Sequence, residues 1–134
     1  MVIHKKARVR EEKIVILIIF SIFLSFFFFI EIQKKVEIIF FTNPRCFVAN
    51  RTAKVLREIK SDFNDKVNIK EIKVNMYNGD PPDTEEIRLL RDTYQVYGVP
   101  EIIINGNELT QKYTKDNLER TICENFIIKP EVCI

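Results

Sequence analysis

An uncharged stretch of seventeen residues, Ile14 to Ile30 (IVILIIFSIFLSFFFFI), constrains this 134-residue chain more than any other feature. Six of the eleven Phe lie inside it, between Phe20 and Phe29. At about 1.5 Å per residue a helix of that length reaches roughly 25 Å, the short end of what crosses a hydrocarbon core of about 30 Å, and Ile32 beyond Glu31 can extend it. A cleavable signal peptide would need a shorter apolar region and small residues at its cleavage site. The residues after Phe29 are Ile30, Glu31, Ile32 and Gln33, which supply no such site. A buried core helix would carry an amphipathic stripe, and this run is apolar on every face. The expectation is an uncleaved single transmembrane anchor over residues 14–32.

Charge orients it. Lys5, Lys6, Arg8, Arg10 and Lys13 precede the run against Glu11 and Glu12, a net of +3, while Glu31, Lys34 and Lys35 follow it with a net of +1. The excess of Lys and Arg on the N-terminal side predicts a cytoplasmic basic arm at 1–13, a juxtamembrane linker at 33–35 and an extracytoplasmic domain at 36–134. The cell membrane is the expected location. About a hundred residues make one domain of ordinary size. The formal net charge of +2 supplies no strong basic field, so no nucleic-acid partner is expected, and 46% hydrophobic residues exclude a disordered chain.

Within 36–134 the periodicities alternate. Val36 to Phe41 (VEIIFF) is a nearly continuous apolar run, as in a strand covered on both faces, and it stops at Thr42, Asn43 and Pro44. From Cys46 the apolar positions Val48, Val55, Leu56, Ile59 and Phe63 repeat with helical spacing. Val67 to Val74 alternates and then slips, which suits an edge strand. Asn78, Gly79, Asp80, Pro81 and Pro82 form a loop. A second helix follows, capped at Asp83 or Thr84, carrying a stripe of Ile87, Leu90, Tyr94 and Tyr97 and stopped by Gly98. Glu101 to Ile104 is a third strand, Asn105-Gly106 a hairpin turn, and Asn107 to Tyr113 the returning strand. Thr114 caps a last helix with Leu118, Ile122 and Phe126, ended by Lys129-Pro130. The order is β-α-β-α-β-β-α, and a strand, helix, strand crossover implies a parallel pair within a mixed sheet covered on both faces.

The chemistry available to such a domain is narrow. Its single His lies in the basic arm, so no His-based triad or His-containing metal site can form beyond the anchor. The glycines all serve as punctuation, which leaves no phosphate-binding loop. The cysteines, Cys46, Cys123 and Cys133, lack the paired spacing of a zinc site, and no metal is expected. Cys46 is the residue of interest, because it sits where the first strand's loop meets the first helix, directly after Arg45. A helix N-terminus and a neighbouring cation both favour thiolate over thiol, and thiolate is the attacking species in disulfide exchange.

The strand VEIIFF, the turn TNPR, Cys46 opening a helix, and Gly98-Val99-Pro100 before EIIING together resemble the thioredoxin superfamily over about residues 36 to 128. The resemblance implies a three-layer α/β sandwich, Cys46 as the attacking thiol and Pro100 as a cis-proline facing it. It also exposes departures. Ala49 stands where that family has its second Cys, Arg45 where thioredoxins usually have Trp, and Phe40 where many carry a buried acid. A lone thiol can form a mixed disulfide, but another thiol must release it. The expectation is therefore monothiol exchange on exported proteins that carry thiols or disulfides. Cys46 and Arg45 are its catalytic pair, Val99 and Pro100 hold the partner's extended backbone, and a separate reductant or resolving thiol completes the cycle without a cofactor. The alternative is a redox-inactive thioredoxin-like module that binds an extended peptide or a membrane partner.

Cys123 and Cys133, ten positions apart, can bridge in an exported compartment, and closing so short a loop stabilises by roughly 3 kcal/mol on the chain-entropy account. Two free thiols, or one of them resolving Cys46, are the other possibilities.

Overall fold

A computed structural model describes residues 14–28 and 35–134. The chain divides into two units, Met1–Gln33 and Lys34–Ile134. In the first, residues 14–28 form a helix, α1, whose described side chains are all exposed and, apart from Ser21 and Ser25, all apolar. No helix among the described residues is long and apolar enough to cross a membrane. Residues 14–28 reach about 22 Å at helical rise. The rest of the expected anchor beyond Phe28, and the basic arm at 1–13, lie outside the described residues.

The second unit follows the expected order: β1 (Val36–Thr42), α2 (Phe47–Phe63), β2 (Val67–Lys73), α3 (Glu85–Tyr94), β3 (Glu101–Ile104), β4 (Asn107–Glu108) and α4 (Lys115–Glu124), with short 3-10 turns at Asn64–Lys66 and Glu131–Cys133. The sheet runs β2-β1-β3-β4, with β1 parallel to β2 and antiparallel to β3. The nearly continuous apolar run of β1, interrupted at the exposed Glu37, is explained by its place near the centre. Val36, Ile38 and Phe40 face the cluster built with α2 and α4, and Phe41 faces the smaller cluster containing Ile87, Leu90 and Tyr94 of α3. Each fully buried Phe contributes on the order of 2 to 3 kcal/mol of transfer free energy. β2 is an edge, and its slipped alternation is the same two-faced arrangement: Val67 and Ile69 meet one cluster and Ile72 the other.

Three boundaries differ from the sequence reading. Helix α3 ends at Tyr94 rather than at Gly98, because Gln95 takes the left-handed conformation (φ 55°) and the Val96 N–H reaches back to the Arg91 carbonyl at 2.8 Å. Val96 is buried, so closing the helix there places an apolar side chain in the core. Tyr97 consequently leaves the stripe and is 83% exposed. The returning strand covers only Asn107–Glu108 instead of reaching Tyr113. Its partner β3 is four residues long and is preceded by Pro100, which has no N–H to offer a neighbour, so pairing stops after Leu109 donates to the Ile102 carbonyl at 2.9 Å. Helix α4 stops at Glu124, and Phe126 is buried from beyond it, stacked on Phe63 with ring centroids 6.3 Å apart. The hairpin turn itself forms as expected, with Asn105 (φ 48°) and Gly106 (φ 83°) both left-handed.

Candidate functional site

The site grows from the turn that ends β1. Asn43 and Pro44 occupy the first two places of a β-turn, and the Cys46 N–H donates to the Asn43 carbonyl at 3.0 Å. The Asn43 side chain reinforces the turn by accepting from the Arg45 N–H at 2.8 Å, the local bond for which Asn is favoured there. Cys46 then takes an extended conformation (φ −89°, ψ 113°) at the N-cap of α2, and its carbonyl accepts the first helical bond from the Asn50 N–H at 3.0 Å. Its side chain does not cap the helix, and no acidic residue lies in the first turn. The first-turn N–H groups of α2 therefore have no side-chain acceptor from their own cap.

The Cys46 thiol is free and half-buried. It donates, at the long distance typical of sulfur, to the carbonyl of Val99, with Sγ to O of 3.8 Å. The Val99–Pro100 peptide bond is cis. Three of the residues singled out in the sequence, Cys46, Val99 and Pro100, thus meet at one end of the sheet. Ala49, three positions after Cys46, is fully buried in the main core cluster, so that position offers no reactive group.

The Arg45 side chain is engaged by the loop between β2 and α3. Its guanidinium donates to the Asn78 carbonyl at 2.9 Å, approaches the Asp80 carboxylate at 3.5 Å, and lies 5.3 Å from the centre of the Tyr77 ring. It ties the turn before Cys46 to the loop between β2 and α3. That loop has two acidic anchors that sequence reasoning read only as loop and cap. Asp80 accepts from the N–H groups of Met76 (3.1 Å) and Tyr77 (2.9 Å) and from the Asn43 amide (2.7 Å). Asp83 accepts from the Asn75 N–H at 2.6 Å and pairs with Arg91 at 2.6 Å. Asn43, almost completely buried, joins the two segments, since its amide also donates to the Val74 carbonyl at 2.8 Å. The local signal for these residues was their turn-forming type, and nothing local indicates that segments more than thirty positions apart converge.

The bonds from Met76 come first among the causes that hold the Asp80 carboxyl below its ordinary range; Tyr77, Asn43 and Arg45 add to them against the opposing effect of burial. Glu101, immediately after Pro100, is pushed the other way, first by burial and then by Glu108. Tyr113 is likewise raised, by burial and then by Glu101 and Glu108.

Cys123 and Cys133 form a disulfide with Cα atoms 5.5 Å apart, joining α4 to the final 3-10 turn. Both sulfurs are thereby occupied. Among the described residues no group of His, Cys, Asp and Glu is placed to hold a metal ion.

The sequence matches no known family profile and no curated protein. Solved structures do resemble the chain. A thioredoxin from Wuchereria bancrofti is 21% identical, with 60% of this chain and 69% of that one covered and a TM-score of 0.47. The exposed lipoprotein thioredoxin of Streptococcus pneumoniae is 15% identical, with 69% and 86% covered and a TM-score of 0.52. The germline-specific thioredoxin Deadhead of Drosophila melanogaster is 12% identical, with 76% and 92% covered and a TM-score of 0.49. Together with the sheet order and the helices on both faces, the likeness to the pneumococcal structure shows a thioredoxin-like fold.

Proposed function

We propose that this chain is a membrane-anchored monothiol that exchanges disulfides on exported proteins through Cys46. The observation that carries the reading is the placement of one free, half-buried cysteine at a helix N-cap, its sulfur 3.8 Å from the Val99 carbonyl beside a cis Val99–Pro100 bond. In the reaction the Cys46 thiolate attacks one sulfur of a partner disulfide. A bond forms between Cys46 Sγ and that sulfur, the partner's own S–S bond breaks, and the other partner sulfur leaves as thiolate. With Ala49 buried and the other two cysteines bridged, release needs a thiol from outside the chain, which restores Cys46.

Val99 and Pro100 hold the partner's extended backbone in this reading, and Arg45 is a positioning residue that fixes the turn carrying the thiol. The anchor reading is supported by the all-round apolar character of residues 14–28, continued in sequence to Ile32, and by the basic arm that precedes them. Replacing Cys46 with Ser should reduce exchange on a peptide disulfide to the uncatalysed rate. An unchanged rate would refute the proposal.

A second reading, a redox-inactive module that binds extended peptide, is favoured by one observation, the buried Ala49 in place of a second thiol. It predicts that Cys46→Ser leaves peptide affinity intact and that the wild-type chain forms no mixed disulfide.

A further inference from the structure

The end of the domain opposite Cys46 carries an apolar surface that neither the core nor the thiol chemistry uses. Ile127 and Ile128 are 68% and 75% exposed, and Val132 and Ile134, in and after the last 3-10 turn, are also exposed. The disulfide from Cys123 to Cys133 fastens this tail to α4, so these side chains are presented on a constrained segment. A short chain of hydrogen bonds ties the residue that ends α4, just before this tail, to the start of the domain. Asn105 in the hairpin turn accepts from the Glu37 N–H at 2.9 Å and donates its own N–H to the Glu37 carbonyl at 2.8 Å, while its amide reaches the Asn125 side chain at 3.2 Å. Ile127 and Ile128 follow Asn125 within three positions. The apolar tail is therefore beside the first residues of β1, where the polypeptide arrives from the N-terminal segment.

We infer that this face, Ile127, Ile128, Val132 and Ile134, rests on the outer surface of the lipid bilayer and holds the Cys46 end away from it. The inference depends on the proposed anchor at residues 14–32. If that segment spans the membrane, only residues 33–35 separate it from β1, and three residues extend at most about 11 Å. The end of the domain that contains Glu37, Asn105 and Asn125 must then lie at the headgroup layer, and the exposed isoleucines lie at that same end. Apolar faces held at a membrane surface bury into the boundary between headgroups and acyl chains, as amphipathic helices do, and these side chains have the same aliphatic character. The charges on the linker, the start of β1 and the tail are of both signs, Lys34, Lys35 and Lys129 against Glu37 and Glu131, a net of +1 too small for attraction to anionic lipid to carry the contact. Cys46 follows the far end of β1, a seven-residue strand of about 20 Å. The thiol is thus held clear of the surface and faces partners in the extracytoplasmic space.

The chain contains no Trp, so an introduced indole is a unique reporter. The full-length protein carrying Ile128→Trp, or Tyr97→Trp at the Cys46 end, is reconstituted into phosphatidylcholine vesicles with brominated acyl chains. Both positions are exposed, so neither change disturbs the core. The expected result is strong quenching of the indole in Ile128→Trp, by about twofold or more, and little in Tyr97→Trp, unaltered by added salt. Alkaline carbonate washing distinguishes the levels of failure. Release of the chain would overturn the anchor and this contact together. Retention with no quenching in Ile128→Trp would overturn the contact alone. An indole at 128 that is hidden from both bromolipid and aqueous acrylamide would mean that a second copy covers the face, and would also overturn it.

Discussion

Where β1 finishes, a single cysteine stands half-buried after a turn held by polar side chains, whereas where β1 begins, two cysteines are joined near the stacked rings of Phe63 and Phe126. The two ends solve different problems. Beside Cys46 the loops are stabilised by Asn43, Asp80 and Arg45, polar groups that hold backbone in place. At the other end the sulfurs are consumed to tie down a tail that follows the last helix. The difference teaches that the one free thiol stands apart from the bridged pair, so the exchange proposed for Cys46 depends on molecules other than this chain.

Removing the bridge tests that separation with the largest expected effect. Cys123→Ala combined with Cys133→Ala should lower stability by about 3 kcal/mol in denaturant unfolding while leaving the exchange rate of Cys46 unchanged at a temperature where the domain remains folded. A loss of exchange would show that the two ends are coupled. Next in size is Asn43→Ala, which withdraws a donor from Asp80 and from the Val74 carbonyl in a buried setting and should cost about 2 kcal/mol. Because the turn before Cys46 loosens, exchange should fall as well, unlike in the bridge variant.

Acid sharpens the comparison further. The Asp80 carboxyl is held below its ordinary range when folded, so its contribution is complete above the unfolded-state value and is lost as the pH falls through the folded one. Asp80→Asn should therefore flatten the acid limb of the stability profile, measured by thermal unfolding at a series of pH values, and a limb identical to that of the wild type would contradict this. Arg45→Ala should have the smallest effect, about 1 kcal/mol or less, since its partners are an exposed carbonyl, a carboxylate at 3.5 Å and an aromatic ring.

Much of this arrangement was legible in the sequence because it is locally encoded. A two-faced strand, an Asn-Pro turn and a helix beginning at Cys46 each follow from adjacent residues, and Asn105-Gly106 fixes the hairpin. What was hidden depends on tertiary contact. The stop of α3 lies at Gln95 because Val96 has a place in the core, although Gly98 is the residue that looks like a stop. The length of β4 depends on how much of β3 is available to pair. Arg45 stands next to Cys46 in sequence, yet its guanidinium is taken up by a loop thirty-three to thirty-five positions away. Propensity places residues on elements, but it does not say which loops meet.

The central claim, that Cys46 attacks disulfides and depends on an outside thiol for release, is tested most directly by trapping. The full-length protein is reacted with a peptide disulfide, quenched with acid and weighed intact without reductant, then mapped. The account predicts one mixed disulfide, on Cys46, with the Cys123–Cys133 bridge intact, persisting until an external thiol is added. A protein that gains no adduct, or one in which a free thiol at Cys123 or Cys133 displaces the peptide and becomes bonded to Cys46, would contradict it.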